Sequence, residues 1–379
     1  MFEHTNEQML TRQTVRDFAE EYLRPGVLKR DDKMIFPKEQ VEKMAELGFM
    51  GMMVPEEWGG AGLDSVSYSL AMEEISRVDA SAGVIMSVNN SLVCQLLLDW
   101  GNDSQKSQYL TKLAEGDMLG AFSLSEPQAG SDASNLRCFA DKNGESYTIN
   151  GTKNWVTNGI SSHVVIAFLV TEKKVGHKGI SAFIIEKGVD GFSTGKKENK
   201  LGIRGSDTCE LYFDNCQIPI ENRIANEGDG FKIAMKTLDG GRIGIASQAL
   251  GIAQAALDES VKYANERKQF GKSIGSFGAI REKIATMATE IEAARLLTHN
   301  AAWLKDNKKS YSQASAMAKW YASKVAMSAA TECVQIFGGY GYMHEYGVER
   351  LMRDAKITQI YEGTSEIQQL VIARSILGG

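Results

Sequence analysis

Four stretches carry residue types that a plain core does not need, and together they hold the ingredients of a chemical site. Phe122-Ser-Leu-Ser-Glu-Pro-Gln-Ala-Gly-Ser131, followed by Asp132, is rich in hydroxyls and small residues, which leave backbone N–H groups open to a planar polar ligand. Lys153-Asn-Trp-Val-Thr-Asn-Gly159 sets Trp155 and Thr157 two apart, on one side of an extended chain. Glu266-Arg-Lys-Gln-Phe-Gly271 ends a long helical pattern with basic residues. Gln335-Ile-Phe-Gly-Gly339 permits close backbone approach to a ligand, and Ile360-Tyr-Glu-Gly-Thr-Ser-Glu-Ile-Gln368 lies downstream of it. Within that last stretch Glu362 sits between aromatic and aliphatic neighbours, and Gly363 marks a break in the helix. A carboxylate so placed is a candidate general base. Taken singly, each stretch also has an ordinary reading: a connecting loop, a core tryptophan, partners for a helix dipole, a solvated glutamate.

The fingerprints of several other chemistries are missing. There is no G-x-G-x-x-G, no G-x-x-x-x-G-K-[ST], no H-E-x-x-H and no G-x-S-x-G. The five histidines (4, 163, 177, 299 and 344) have no ligand spacing, so no metal site is expected. These gaps argue against a nicotinamide Rossmann enzyme, a nucleotide hydrolase, a zinc hydrolase and an α/β-hydrolase.

Three textures would position the four stretches. The part expected to form a helical domain, 1–118, opens with apolar residues near helical spacing from about Thr5 to Leu23, ended by Pro25-Gly26. A second helix is expected to start at Pro37, carry the stripe Val41, Met44, Leu47, and leave at Gly48. Further helices are expected after Asp64 and Ser104, each serving as a cap. In 119–226 short β-branched and aromatic runs alternate with turn signals: Tyr147-Thr148-Ile149, Val164 to Val170, Ile180 to Ile185 and Leu211-Tyr212-Phe213. Asn143-Gly144 suits a hairpin, and this part reads as a small antiparallel β-barrel or sandwich. In 227–379 proline is absent and periodic segments run over roughly 231–267, 279–307, 311–337 and 366–377, as in a helical bundle.

Composition narrows the partners. Lys+Arg is 42 and Asp+Glu 48, a net charge of −6 with no basic run, which is poor for nucleic acid. The longest uninterrupted apolar run, Val164 to Val170, falls short of the about 20 residues a bilayer requires, so no membrane partner is expected. The five cysteines (94, 138, 209, 216 and 333) contain no C-x-x-C, as expected of reduced, buried thiols. The N-terminal Met-Phe-Glu-His-Thr-Asn-Glu has neither a secretory nor a transit pattern. A bacterial cytoplasm, or a mitochondrial matrix for a mature form, is expected.

In this order and at these intervals, the four stretches resemble the acyl-CoA dehydrogenase family, over essentially the whole chain. Within it the chain is most similar to the short-chain (butyryl-CoA) branch, through Met86-Ser-Val-Asn-Asn-Ser-Leu92, Lys200-Leu-Gly-Ile-Arg-Gly-Ser206, the segment from Gly241 to Gln254, and Leu304-Lys-Asp-Asn-Lys-Lys309. The resemblance implies an α+β multidomain fold with an N-terminal helical domain, a middle β-domain and a C-terminal four-helix bundle. It also implies a homotetramer that binds FAD. Phe122, Leu124, Ser125, Gly130 and Ser131 would line the flavin, Ser131 also touching the CoA tail, with Trp155, Val156 and Thr157 against the isoalloxazine. Arg267, Phe270, Gln335, Gly338 and Gly339 would reach the FAD of a neighbouring subunit, and Thr364 and Glu366 would hold its phosphate and ribose region. Asp239, Arg242 and Gly363 would contact the acyl-CoA.

The implied reaction is α,β-dehydrogenation of a short-chain acyl-CoA, in fatty-acid β-oxidation or short-chain acyl metabolism. Glu362 would take the α-proton, flavin N5 would accept the hydride, and electrons would pass to electron-transfer flavoprotein. Burial should raise the pKa of Glu362. Some branches carry the base at the position of Gly241, where glycine has no proton acceptor. Gly278 replaces a glutamine common after the R-x-x-F-G segment, which removes one expected FAD contact, and Ser125 keeps the hydroxyl of a common threonine. Branched short acyl groups, an oxidase relative and a non-enzymatic scaffold of the same fold are the alternatives; the nitroalkane branch uses aspartate where this chain has Glu362.

Overall fold

The computed structural model describes residues 3–378. Met1, Phe2 and Gly379, which fall within the N-terminal and C-terminal readings above, lie outside the described residues. Helix α1 spans residues 6–23, its last turn (Ala19–Leu23) widened to π-helix. Thr5 caps it in a reciprocal box: its Oγ1 accepts from the Gln8 N–H and its own N–H donates to the Gln8 side chain. Two shorter helices follow, α2 (Val27–Lys33) and α3 (Lys38–Glu46). Pro37 is the cap residue before α3, and Met44 is buried as expected. Leu47 does not complete the stripe: it is the residue on which the helix unwinds, and it stays exposed.

Asp64 caps α4 (Ser65–Val78), accepting from the Ser67 N–H at 2.6 Å. After α5 (Ala80–Trp100) comes α6 (residues 103–115), and here the cap is Asn102, two positions earlier than Ser104. Asn102 has Gln105 three residues on to close a capping box, a partner that Ser104 lacks. By length and apolarity α5 would suffice to cross a membrane, but 89% of its most apolar window is buried inside the protein. Its middle, Val88–Cys94, is π-helical and carries two buried asparagines. The Asn89 amide donates to the carbonyls of Met50 and Leu113, and that of Asn90 to those of Phe49 and Met86. All these donors are satisfied, so α5 organises the loops around it without an orphaned group.

The middle of the chain forms one eight-stranded sheet: β1 (Gly120–Ser123), β2 (Phe139–Asn143), β3 (Ser146–Thr157), β4 (Val164–Val170), β5 (Ile180–Glu186), β6 (Phe192–Thr194), β7 (Thr208–Pro219) and β8 (Arg223–Ile224). The order is β6-β7-β3-β2-β4-β5-β8, with β1 beside β4. Most pairings are antiparallel, while β1·β4 and β2·β4 are parallel, so the sheet is mixed. Gly144 (φ 60) turns the β2–β3 hairpin at the expected Asn143-Gly144. The unbroken apolar run of β4 is explained by burial on both faces. Val165, Ala167 and Leu169 face the core of the sheet, and Val164, Ile166 and Phe168 face the helices.

Past the sheet, α7 (Gly230–Glu266), α8 (Gly278–Asp306) and α9 (Ser312–Phe337) pack together, and α7 and α8 also pack against α4. Two further helices, α10 (Val348–Thr358) and α11 (Ser365–Leu377), lie on α9. Helix α10 falls outside the segments expected from periodicity; Val348, Leu351 and Ala355 form its short buried stripe. The chain between α10 and α11 holds Glu362.

Candidate active site

Glu362 lies where the backbone leaves one helix and begins another. Thr364 starts α11 as its cap, its hydroxyl accepting from the Ile367 N–H. Just before it, Glu362 (φ 51) and Gly363 (φ 89) are both left-handed. For a glutamate that conformation costs about 1–2 kcal/mol, so the surroundings must hold it. Gln368 does so by donating its amide to the carbonyls of Glu362 (3.2 Å) and Gly363 (3.0 Å). The side chain of Lys319, on α9, also donates to the Gly363 carbonyl. Tyr361 is held through its hydroxyl by Gln248 on α7, which in turn donates to the Ala80 carbonyl at 2.8 Å.

The carboxylate points into a slot against α7. Glu362 Oε2 is buried and accepts no hydrogen bond from the described residues. A Cβ at Gly241 would overlap that oxygen and stand 2.7 Å from Leu92 Cδ2, so the slot exists because position 241 has no side chain. Burial raises the Glu362 carboxyl to about 7, against the opposing pull of Lys319 and Arg242. Arg242 is itself buried, pairs with Asp239 at 2.6 Å, and leaves its Nε without a partner. Asp239 also accepts from the Ser312 hydroxyl at 2.9 Å. The acid's own unsatisfied oxygen and the unpartnered Nε of the buried Arg242 are together the pattern of a site that takes a polar ligand.

The first two sequence stretches are brought together on the sheet. The Asn154 N–H donates to the Ser125 carbonyl at 2.8 Å. Beneath them Lys153 and Glu126 form a wholly buried ion pair at 2.8 Å, and Lys153 also donates to the Leu124 carbonyl. Glu126 further accepts from the N–H groups of Arg137 and Cys138. Burial alone would raise the Glu126 carboxyl, but Lys153 and these donors outweigh it and the net shift is down. Neither member of this pair was picked out from the sequence; a lysine and a glutamate in two adjoining stretches give no sign that they are buried.

Above the pair, the register of β3 on β7 slips between Lys153 and Val156, and Trp155 takes φ 58. The simple alternation expected for Trp155 and Thr157 is therefore broken. Val156 points into the core of the sheet, while Trp155 is held outward and is 63% exposed. Gly130 and Ser131 are exposed, and a Cβ at Gly130 would meet nothing within 4 Å. A planar cofactor such as the implied flavin fits this open shelf of indole, hydroxyls and uncrowded backbone.

The third and fourth stretches meet at a separate cleft of about 460 Å³, lined in part by Arg267, Gly338 and Gly339. Arg267 stands 5.2 Å over the Tyr340 ring. Gln335 and Phe270 lie outside its lining; Phe270 is 91% exposed, at φ 51. Glu366 is exposed in the first turn of α11. Gly278 opens α8 with nothing within 4 Å of a Cβ there, so the space a glutamine would use is present and unfilled by this chain. Two groupings that are separate within one chain are what a cofactor shared between subunits requires.

Comparison with known proteins places this geometry. Three family profiles match: acyl-CoA dehydrogenase N-terminal domain over residues 5–117, middle domain over 121–216 and C-terminal domain over 228–377. The chain is 53% identical over 370 residues to the mitochondrial short-chain specific acyl-CoA dehydrogenase of Rattus norvegicus, covering 98% of this chain and 90% of that one. Among solved structures it matches butyryl-CoA dehydrogenase from Megasphaera elsdenii with a TM-score of 0.98 and 48% identity, covering 100% of both chains. A chain in the structure described as electron transferring flavoprotein of Acidaminococcus fermentans gives a TM-score of 0.99 at 50% identity, again over 100% of both.

Proposed function

The chain belongs to the acyl-CoA dehydrogenase family, and from that premise we propose how its residues divide the reaction. It is an FAD-dependent short-chain acyl-CoA dehydrogenase of the butyryl-CoA type, a member of a tetrameric family with electron-transfer flavoprotein as partner. The single observation that carries the division of labour is Glu362 Oε2, buried without a partner in the slot left by Gly241.

FAD, when bound, would supply the acceptor for the β-hydride. Glu362 takes the α-proton. Held near 7, its carboxyl is matched to a proton transfer at neutral pH, and the absence of a competing hydrogen bond leaves Oε2 free for it. Its backbone N–H donates to the thioester oxygen, as the resemblance implies, so the left-handed turn aims donor and base from one residue. Arg242 and Asp239 receive the CoA arm beside Glu362, and Gly363 lets the chain pass close to it. Phe122, Leu124, Ser125, Gly130, Ser131 and Trp155 to Thr157 would hold the flavin, with the Val156 side chain turned into the core of the sheet. Arg267, Phe270, Gln335, Gly338 and Gly339 come from a neighbouring subunit, with Thr364 and Glu366 at the phosphate and ribose end. The relatives include bacterial and mitochondrial proteins, and the reading places this one in a cytoplasm or a matrix.

The test is a visible spectrum of the purified protein under nitrogen, before and after butyryl-CoA, beside Glu362→Gln. Bleaching of the flavin bands in the wild type but not in the variant is expected. Bleaching at the same rate in both would remove Glu362 from the role of base.

A further inference from the structure

Among the described residues two lysines are wholly buried, and their partners differ in kind. Lys153 faces a carboxylate at 2.8 Å, the ordinary means of keeping an ammonium inside a protein. Lys319, in the middle of α9, donates to the backbone carbonyl of Gly363 and, among the described residues, is paired with no carboxylate within salt-bridge distance. That carbonyl has a donor already, the Gln368 amide at 3.0 Å. Satisfying it therefore does not require a charge, and a buried ammonium is costly wherever a neutral donor would serve. The charge beside it is that of Glu362, one residue before Gly363, and the two act on one another electrostatically.

Resting on the assignment of Glu362 as base, we propose that Lys319 is a positioning residue for the proton transfer: anchored on the Gly363 carbonyl, its ammonium holds the left-handed Glu362–Gly363 turn and favours the anionic, proton-accepting form of Glu362. The groups facing that carboxyl come from several elements. Lys319 stands on α9 and Arg242 on α7, both favouring the anion against burial. Tyr68, on α4, is neutral and feels the same carboxylate. Asp239 faces Arg242, and Glu366 acts on Lys319. Burial draws Lys319 itself down to about 7, with Glu362 opposing, so the ammonium and the carboxylate sustain each other. Removing the ammonium leaves Arg242 alone against burial, and Glu362 must then bind its proton more tightly.

The proposal is tested by titrating Glu362 directly in the flavin-loaded protein without substrate. The carboxyl is followed by infrared difference spectroscopy, with Glu362→Gln identifying its band. Lys319→Met should move the midpoint up by about one pH unit, which at a pH below both midpoints is a tenfold smaller anionic fraction. Lys319→Arg should titrate as the wild type. The pH profile of anaerobic flavin reduction by butyryl-CoA should move by the same amount, with flavin content unchanged. Should Lys319→Met not fold, Lys319→Gln keeps a donor for the carbonyl without the charge and is read in its place. An unmoved midpoint in the folded neutral variant overturns the proposal even if its rate falls. Bleaching of Glu362→Gln at the wild-type rate would instead overturn the assignment of the base, and the infrared midpoint would still stand as a separate result.

Discussion

At the scale of single residues, the site turns on a carboxylate and the absence of a side chain facing it. Gly241 and Glu362 lie far apart in the sequence, and nothing about a Gly-Gly pair in a helix announces that the second glycine makes room for an acid. The break in the helix at Glu362 was legible from the aromatic neighbour before it and Gly363 after it, while its assignment as the base came from the family resemblance. Its left-handed backbone was not legible, since that conformation is imposed by Gln368, Lys319 and Tyr361 from outside. The pairing predicts the effect of the smallest added side chain. Gly241→Ala should push the carboxyl out of line, and a displacement of about 1 Å from a reacting geometry costs about a hundredfold in rate. Anaerobic stopped-flow reduction by butyryl-CoA is the measurement, with flavin content as the control. An alanine variant that reduces its flavin at the wild-type rate would show that Glu362 does not work from this slot.

At the scale of elements, the flavin shelf is built by two loops locked to one another from below. The strands and the Asn143-Gly144 hairpin follow from alternation and turn chemistry, but the slip of β3 on β7 does not, because register irregularities depend on the partner strand. The same holds for the missed helix α10, whose buried stripe is too short to stand out, and for the cap of α6, where Asn102 and Ser104 are both good residues and only the reach of Gln105 decides. The Lys153–Glu126 pair is the element-scale device that can be tested. Lys153→Met strands Glu126 in the interior, which should destabilise the fold by about 3–5 kcal/mol in urea unfolding and deplete bound flavin. Replacing both, with Lys153→Met and Glu126→Gln, removes the stranded charge and should recover much of the stability. Recovery of stability without recovery of flavin would show that the pair shapes the shelf; a single variant as stable as the wild type would deny that the pair matters.

At the scale of the whole molecule, the two groupings proposed to hold the cofactor are separate within one chain. Trp155 lies open on the sheet, whereas Arg267, Gly338 and Gly339 line a cleft on the helical side. Phe270 stands beyond that cleft, 91% exposed and held at φ 51, an aromatic ring spent on solvent unless another copy covers it. Order along the chain made the four stretches legible as one constellation only through the resemblance, and the proposal that two of them serve a neighbouring subunit comes from the same source, not from periodicity. A site shared in the proposed way would tie assembly to cofactor. Phe270→Glu places a charge on the face that the second copy would bury, where a desolvated carboxylate is unfavourable. Sedimentation velocity should show less tetramer, and the flavin absorbance per chain should fall in proportion, while far-ultraviolet circular dichroism stays that of the wild type. Because binding to an assembled site stabilises the assembly by mass action, added FAD should restore part of both. If instead the variant loses the tetramer but keeps its flavin, each subunit holds the cofactor alone, and Arg267, Gly338 and Gly339 must be assigned to some other ligand.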